Sequence, residues 1–121
     1  MDSTTIAELA AEAASAVKPS YLALLDLRRL SDFTDYFVIA GAESSRQVRA
    51  LAERVEERLA LADLRMLHRE GAGEARWILL DYRDVVIHIF DEQTRQFYDL
   101  ERLWGDAPKR MLVGESSAQI D

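Results

Sequence analysis

Trp77–Trp104, WILLDYRDVVIHIFDEQTRQFYDLERLW, is the stretch on which the reading of this chain turns. Trp77–Asp81 and Val85–Phe90 are two apolar runs with strand character, joined across a tight turn near Tyr82-Arg83-Asp84. Paired antiparallel through a two-residue loop, they set Tyr82 opposite Val85, Leu80 opposite Ile87 and Ile78 opposite Ile89. That face is aliphatic almost throughout, as a core layer should be. The other face carries Trp77, Leu79, Asp81, Val86, His88 and Phe90. A mixed aromatic, aliphatic and acidic surface suits recognition better than a dry interior. The hairpin is therefore expected to be a binding platform.

Outward from the hairpin, composition narrows the field. The chain has 121 residues, the size of one domain able to bury roughly two-thirds of its unfolded surface. It has no cysteine, hence no disulfide, thiolate nucleophile or thiolate-bound zinc, which agrees with a reducing, cytoplasmic setting. Fifteen Lys and Arg against 22 Asp and Glu give a net charge of −7. That balance disfavours nonspecific attraction to nucleic acid and suits a basic protein partner. No run approaches the ~18 apolar residues of a membrane span. The first eighteen residues hold Asp2, Glu8 and Glu12 and no arginine, unlike a signal or transit peptide.

Elements alternate along the chain. Thr5 with Glu8 has capping-box spacing, and Ile6, Leu9, Ala10, Ala13 and Val17 follow a helical period that Lys18-Pro19 ends. Tyr21–Asp26 and Phe33–Ala40 read as strands. Ser44 with Gln47 opens a helix from about Ser45 to Ala62, with Val48, Leu51, Ala52, Val55 and Leu59 as its apolar stripe and a solvated charged face. Arg65–His68 is a brief strand, followed by the loop Glu70-Gly71-Ala72-Gly73-Glu74. After the hairpin, Asp91 caps a last helix with Phe97, Leu100 and Trp104 on one side. From Ala107 on, Pro108, Gly114 and Glu115-Ser116-Ser117 read as a loose tail. The expected fold is one α/β domain over residues 1–107, a mixed sheet of about five strands flanked by helices.

Catalytic chemistry is hard to find. His68 and Glu70 would supply two metal ligands from a strand edge, without an evident third. Gly71 and Gly73 resemble a fragment of a phosphate loop, but no lysine follows, and a surface loop is the better reading. Ser44-Ser45 is explained by helix capping alone. Asp32 and Asp35 would not share a strand face. The strand-borne Asp-x-Asp pair of two-metal phosphoryl transfer is absent, and the similarly spaced Asp99 and Glu101 fall on the last helix. His88 fits two readings, a sheet histidine bonded to Asp81 or a contact residue.

An ordered set of motifs then matches a family. Leu25-Asp26, Thr34-Asp35-Tyr36-Phe37-Val38-Ile39, Ser45-Arg46-Gln47-Val48, Glu70-Gly71, Trp77-Ile78-Leu79-Leu80-Asp81, Asp84 through Phe90, Arg95, Tyr98-Asp99-Leu100-Glu101 and Leu103-Trp104 together resemble the ribosome silencing factors, also called the Iojap-like family. The resemblance runs from about Tyr21 to Trp104. It implies a nucleotidyltransferase-like fold without known nucleotidyltransfer activity. It also implies binding to the large ribosomal subunit through its ribosomal protein fourteen, obstruction of small-subunit joining, and reduced translation when nutrients are scarce. The missing Asp-x-Asp pair and Gly-Ser dipeptide agree with a noncatalytic role. Two departures stand out: Ala42-Glu43 where the family usually has glycine before the Ser-Ser-Arg helix start, and Arg83 where the turn often has glycine.

Carried onto this chain, the resemblance and the strand parity select one surface. Trp77, Leu79, Val86 and His88 are the expected central contacts, with Asp81 and Glu70 offering carboxylates to basic groups of the ribosomal protein. Tyr98 and Trp104 would border the patch, although Trp104 equally fits the Phe97–Leu100 core seam. No enzymatic activity, cofactor, direct nucleic-acid readout or membrane contact is expected. The same apolar patch in the free protein leads to the expectation of a homodimer. Two rivals remain, a nucleotide-binding or nucleotidyltransfer enzyme on this fold and an adaptor for a different basic protein.

Overall fold

The computed structural model describes residues 1–71, 73 and 75–114. Among them the order is α1 (Ser3–Ser15), β1 (Tyr21–Asp26), β2 (Tyr36–Ala42), α2 (Ser45–Leu61), β3 (His68–Glu70), β4 (Trp77–Asp81), β5 (Val85–Asp91), α3 (Glu92–Tyr98), α4 (Leu100–Leu103) and β6 (Lys109–Val113). The six strands form one mixed sheet in the order β3-β4-β5-β2-β1-β6. The β2–β5 pair is parallel and the other neighbours are antiparallel.

Strand alternation sorts the side chains into two cores. On one face Leu22, Leu24, Val38, Ala40, Ile78, Leu80, Val85, Ile87 and Ile89 pack with Ile6, Ala10 and Ala14 of α1 and with α2. The stripe expected on α2, Val48, Leu51, Ala52, Val55 and Leu59, is its buried set. Ser44 caps α2 as its spacing indicates, accepting from the Gln47 backbone N–H at 3.1 Å. Gln47 Oε1 accepts from the Glu43 N–H at 2.9 Å, and its Nε2 donates to the Lys18 carbonyl at 2.9 Å, tying α2 to the end of α1. On the other face a smaller cluster gathers Tyr21, Ala23, Leu25, Leu27, Ile39 and Phe90 under Leu100 and Trp104.

The hairpin register is the expected one, with Ile78 opposite Ile89 and Leu80 opposite Ile87. The two-residue loop survives without glycine. Arg83 adopts φ 74°, and Asp81 Oδ1 accepts from its N–H at 2.8 Å. A short side-chain cap of this kind offsets part of the cost of the left-handed region.

Several expectations are corrected. Asp2, not Thr5, caps α1: the helix starts at Ser3, which puts Thr5 at the position whose N–H Asp2 Oδ1 accepts, 2.8 Å away. β2 begins at Tyr36, not Phe33, because Ser31 Oγ accepts from the Phe33 and Thr34 N–H groups and holds them in a turn, leaving Phe33 89% exposed. β3 lies at His68–Glu70, not Arg65–His68, where its partners are Asp81, Leu80 and Leu79. The last helix is two, broken where Asp99 takes φ 47°. That break removes Phe97 from the Leu100–Trp104 seam and leaves it exposed. In the loop after β3, Ala72 and Glu74 lie outside the described residues, as does 115–121 of the expected tail.

The largest correction concerns that tail. Lys109–Val113 is a strand, paired along β1 through Lys109↔Leu25, Arg110↔Leu24, Met111↔Ala23 and Val113↔Leu22, with a bulge at Leu22/Ala23. The sheet thus has six strands where about five were expected. β6 satisfies the outer backbone edge of β1, a demand that local sequence does not reveal. A chain ending after Ala107 is expected to be less stable than one ending after Gly114 by about 2 kcal/mol, the scale of four cross-strand pairs. Equal urea midpoints would show that β6 contributes nothing.

Candidate functional site

The second face of the sheet is covered unevenly. Leu100 and Trp104 pack on the smaller core, as Phe37 and Trp77 of the sheet also do, and Leu79, Asp81 and Val86 of the hairpin and Phe37 of β2 stay half-buried. Register shows why these four share a surface: Phe37 lies beside Val86, and Val86 opposite Asp81, while Leu79 opposes His88. β3 extends the surface outward, with Glu70 opposite Leu79 and His68 opposite Asp81. His68 Nε2 and Glu70 Oε2 are 2.7 Å apart and both side chains are exposed. Among the described residues, no group of three or more His, Cys, Asp or Glu side chains is placed to hold a metal ion.

Aromatic rings frame this open half. Trp77 lies 4.8 Å from Phe90 and 4.8 Å from Tyr98, centroid to centroid. Tyr98 is 49% exposed and meets Phe97 edge-on at 5.0 Å. Phe37 stands edge-on to His88 at 4.4 Å and to Trp104 at 6.2 Å. Edge-to-face and tilted rings at these separations attract beyond their area burial, so the frame is held in shape. Gly71 closes one corner: at φ 94° it passes so close to the Trp77 peptide that a Cβ would strike the Trp77 carbonyl. Gly71 and Gly73 lie in the expected loop between β3 and β4, and Gly71 is its close-packed position beside Trp77.

Of the expected contacts, Trp77, Leu79, Asp81, Val86 and Glu70 share the open half, and Tyr98 and Trp104 border it. Trp104 is half-buried and packs on the smaller core while facing Phe37, so it is both seam and rim. His88 is different. It is only 4% exposed and Phe90 1%, so the face carries two buried residues where an exposed surface was expected throughout. Of the two readings of His88, the sheet histidine is bonded to Trp77 instead of Asp81: Asp81 accepts from the Arg83 N–H, while His88 Nδ1 accepts from Trp77 Nε1–H at 3.2 Å. Among the described residues, His88 Nε2 has no hydrogen-bond partner. Phe37 was missed, because its place beside Val86 depends on a parallel register invisible in one sequence. Asp99 and Glu101 are structural: Asp99 is the helix break, and Glu101 accepts from the Tyr21 hydroxyl and pairs with Lys109 at 3.6 Å.

Known proteins locate this architecture. The profile of the family described as "Ribosomal silencing factor during starvation" (RsfS) matches residues 1–120. The chain belongs to the ribosomal silencing factor family. The silencing factor of Bacillus subtilis is 37% identical over 108 residues, 89% of this chain and 92% of its own length. The chloroplastic protein Iojap of maize is 35% identical over 112 residues, 90% of this chain but 47% of the maize protein. A crystal structure of a Chromobacterium violaceum protein superposes with a TM-score of 0.84 at 34% identity, covering 96% of this chain and 97% of that one. The family match extends beyond both ends of the Tyr21–Trp104 resemblance.

Burial among rings lowers the His88 pKa from 6.5 to about 4, with loss of hydration as its cause. The folded chain therefore binds this proton more weakly than the unfolded chain. The stability that the neutral ring contributes is fully present above about pH 6.5 and is lost as pH falls toward about 4. Between about pH 7 and 4.5 the loss is on the order of 2–3 kcal/mol from this group. Urea titrations at those pH values should show a smaller drop for His88→Gln than for the native chain. An equal drop would mean that His88 does not titrate in this window.

Proposed function

We propose that this chain is a translational repressor whose open half-sheet seats on the large ribosomal subunit through its ribosomal protein fourteen. Bound there, the folded domain excludes the small subunit by occupying space, with no chemical step and no cofactor. Family membership supports the coarse reading, ribosome-associated silencing and regulation of translation. The observation that carries the finer one is the half-buried set Phe37, Trp77, Leu79 and Val86, apolar and framed by rings at the centre of the sheet's second face. Large aromatic anchors surrounded by a polar rim are where binding energy concentrates.

Electrostatics supports the same partner chemistry. With a net charge of −7, the domain favours encounter with a basic protein, and Glu70 at the platform edge and Asp81 at the turn place carboxylates on that side. One Asp81 oxygen serves its own turn and one Glu70 oxygen meets His68 Nε2, which leaves each carboxylate a second oxygen for orienting a partner. No helix among the described residues is long and apolar enough to cross a membrane, and action on ribosomes goes with a cytoplasmic location. In the absence of ribosomes, the same surface gives a homodimer.

Cosedimentation of the purified chain with isolated large and small subunits tests this reading, and pelleting with the large subunit alone is expected. Trp77→Ala should weaken binding by about 2 kcal/mol, roughly thirtyfold. Because Trp77 also packs on Phe90, Leu79→Lys serves as a second variant, with at least roughly tenfold loss from a folded protein. A folded native chain that pellets with neither subunit would remove the assignment.

A further inference from the structure

His88 sits at the base of the aromatic frame with one ring nitrogen engaged and the other not. Trp77 Nε1–H is a donor only, so the nitrogen it meets at 3.2 Å, His88 Nδ1, is an acceptor without a proton. In the neutral ring the proton is then on Nε2. That N–H is buried and has no acceptor among the described residues. The ring is neutral at physiological pH, and burial alone accounts for its lowered pKa, with no charged group contributing. A buried donor without an acceptor weakens the fold that contains it, and this one lies beneath the surface assigned to partner contact.

We propose that His88 holds its Nε2–H for an oxygen acceptor on the docked ribosomal protein, which makes it a specificity-determining residue of the platform. The inference rests on the ribosomal reading of that surface and adds a chemical requirement to it. The acceptor is a neutral oxygen, a main-chain carbonyl or a side-chain amide. A carboxylate would arrive as a buried charge opposite one neutral donor, a poorly compensated arrangement. Nε2 is buried in the free chain, so the proposed docking includes a shift of a neighbouring ring, and Phe37, edge-on to the imidazole at 4.4 Å and only half-buried, is the ring assigned to it. Discrimination follows from the asymmetry of hydrogen bonding: a partner presenting an apolar group there leaves the donor unpaired, and the correct one satisfies it.

Three proteins are compared, the native chain, His88→Leu and His88→Gln, each measured against isolated large subunits and against purified ribosomal protein fourteen. Leucine removes both nitrogens. Glutamine keeps an acceptor for Trp77 and a donor toward the partner. His88→Leu is expected to bind both targets at least about tenfold more weakly, while its free form melts no lower than the native chain. His88→Gln is expected to stay within about threefold of native affinity. If the native chain binds and His88→Leu binds equally well, the inference fails and the ribosomal reading stands. A loss seen on subunits but not on the purified protein would move the acceptor elsewhere on the subunit and overturn the assignment to that protein. If the native chain binds neither target, the reading and the inference fall together. Should His88→Leu not fold, nitrogen-15 spectra of the native complex decide: slowed exchange of the Nε2 proton on binding is expected, and unchanged exchange overturns the proposal.

Discussion

The parallel pairing of β2 with β5 is the constraint on which the open face depends. It places Phe37 beside Val86 and Ile39 beside His88, and it joins the β1–β2 pair to the β4–β5 hairpin in one sheet. Shifting that register by one residue would turn either Val38 and Ala40 of β2 or Ile87 and Ile89 of β5 away from the larger core. Because the core on the helical side penalises such a slip so heavily, the positions of the rings on the other side are fixed with it. The strands of the open face are thereby held in register by packing on their opposite side.

Coverage of the second face follows from helix geometry at the carboxyl end. α3 is capped by Asp91, whose Oδ1 accepts from the Thr94 N–H at 2.8 Å, so it starts directly off β5. It lasts only to Tyr98 before Asp99 turns the chain through the left-handed region. α4 then leads Leu100 and Trp104 over the β1 side. A continuous helix would have followed a different line. Two short ones leave Leu79, Val86 and Phe37 half-buried. The polar tie from Glu92 to Arg95 at 2.8 Å, with Arg95 over the Tyr21 ring at 3.8 Å, anchors α3 to β1.

Much of this was legible locally. β1, β4, the start of β5, the α2 stripe and the Ser44 and Asp91 caps depend on contacts between near neighbours in sequence, where periodicity and capping chemistry are strong signals. Trp77, Leu79 and Val86 were legible for the same reason, since a two-residue turn sets the parity of both strands. Phe37, β6 and the burial of His88 were not. Phe37 needs the β2–β5 register, β6 pairs with a strand far upstream, and His88 is packed among rings from β2, β4 and β5.

By itself, then, the sequence determined which residues alternate, which helices start where, the absence of thiol chemistry and the motif order that marks the family. Tertiary structure alone decided which half of the second sheet face stays open and which of its polar groups are left without partners. The division has a physical reason. Strand parity and helix caps are settled over a few residues, whereas exposure and hydrogen-bond satisfaction depend on every element that passes over a site, including the two short helices after Asp91.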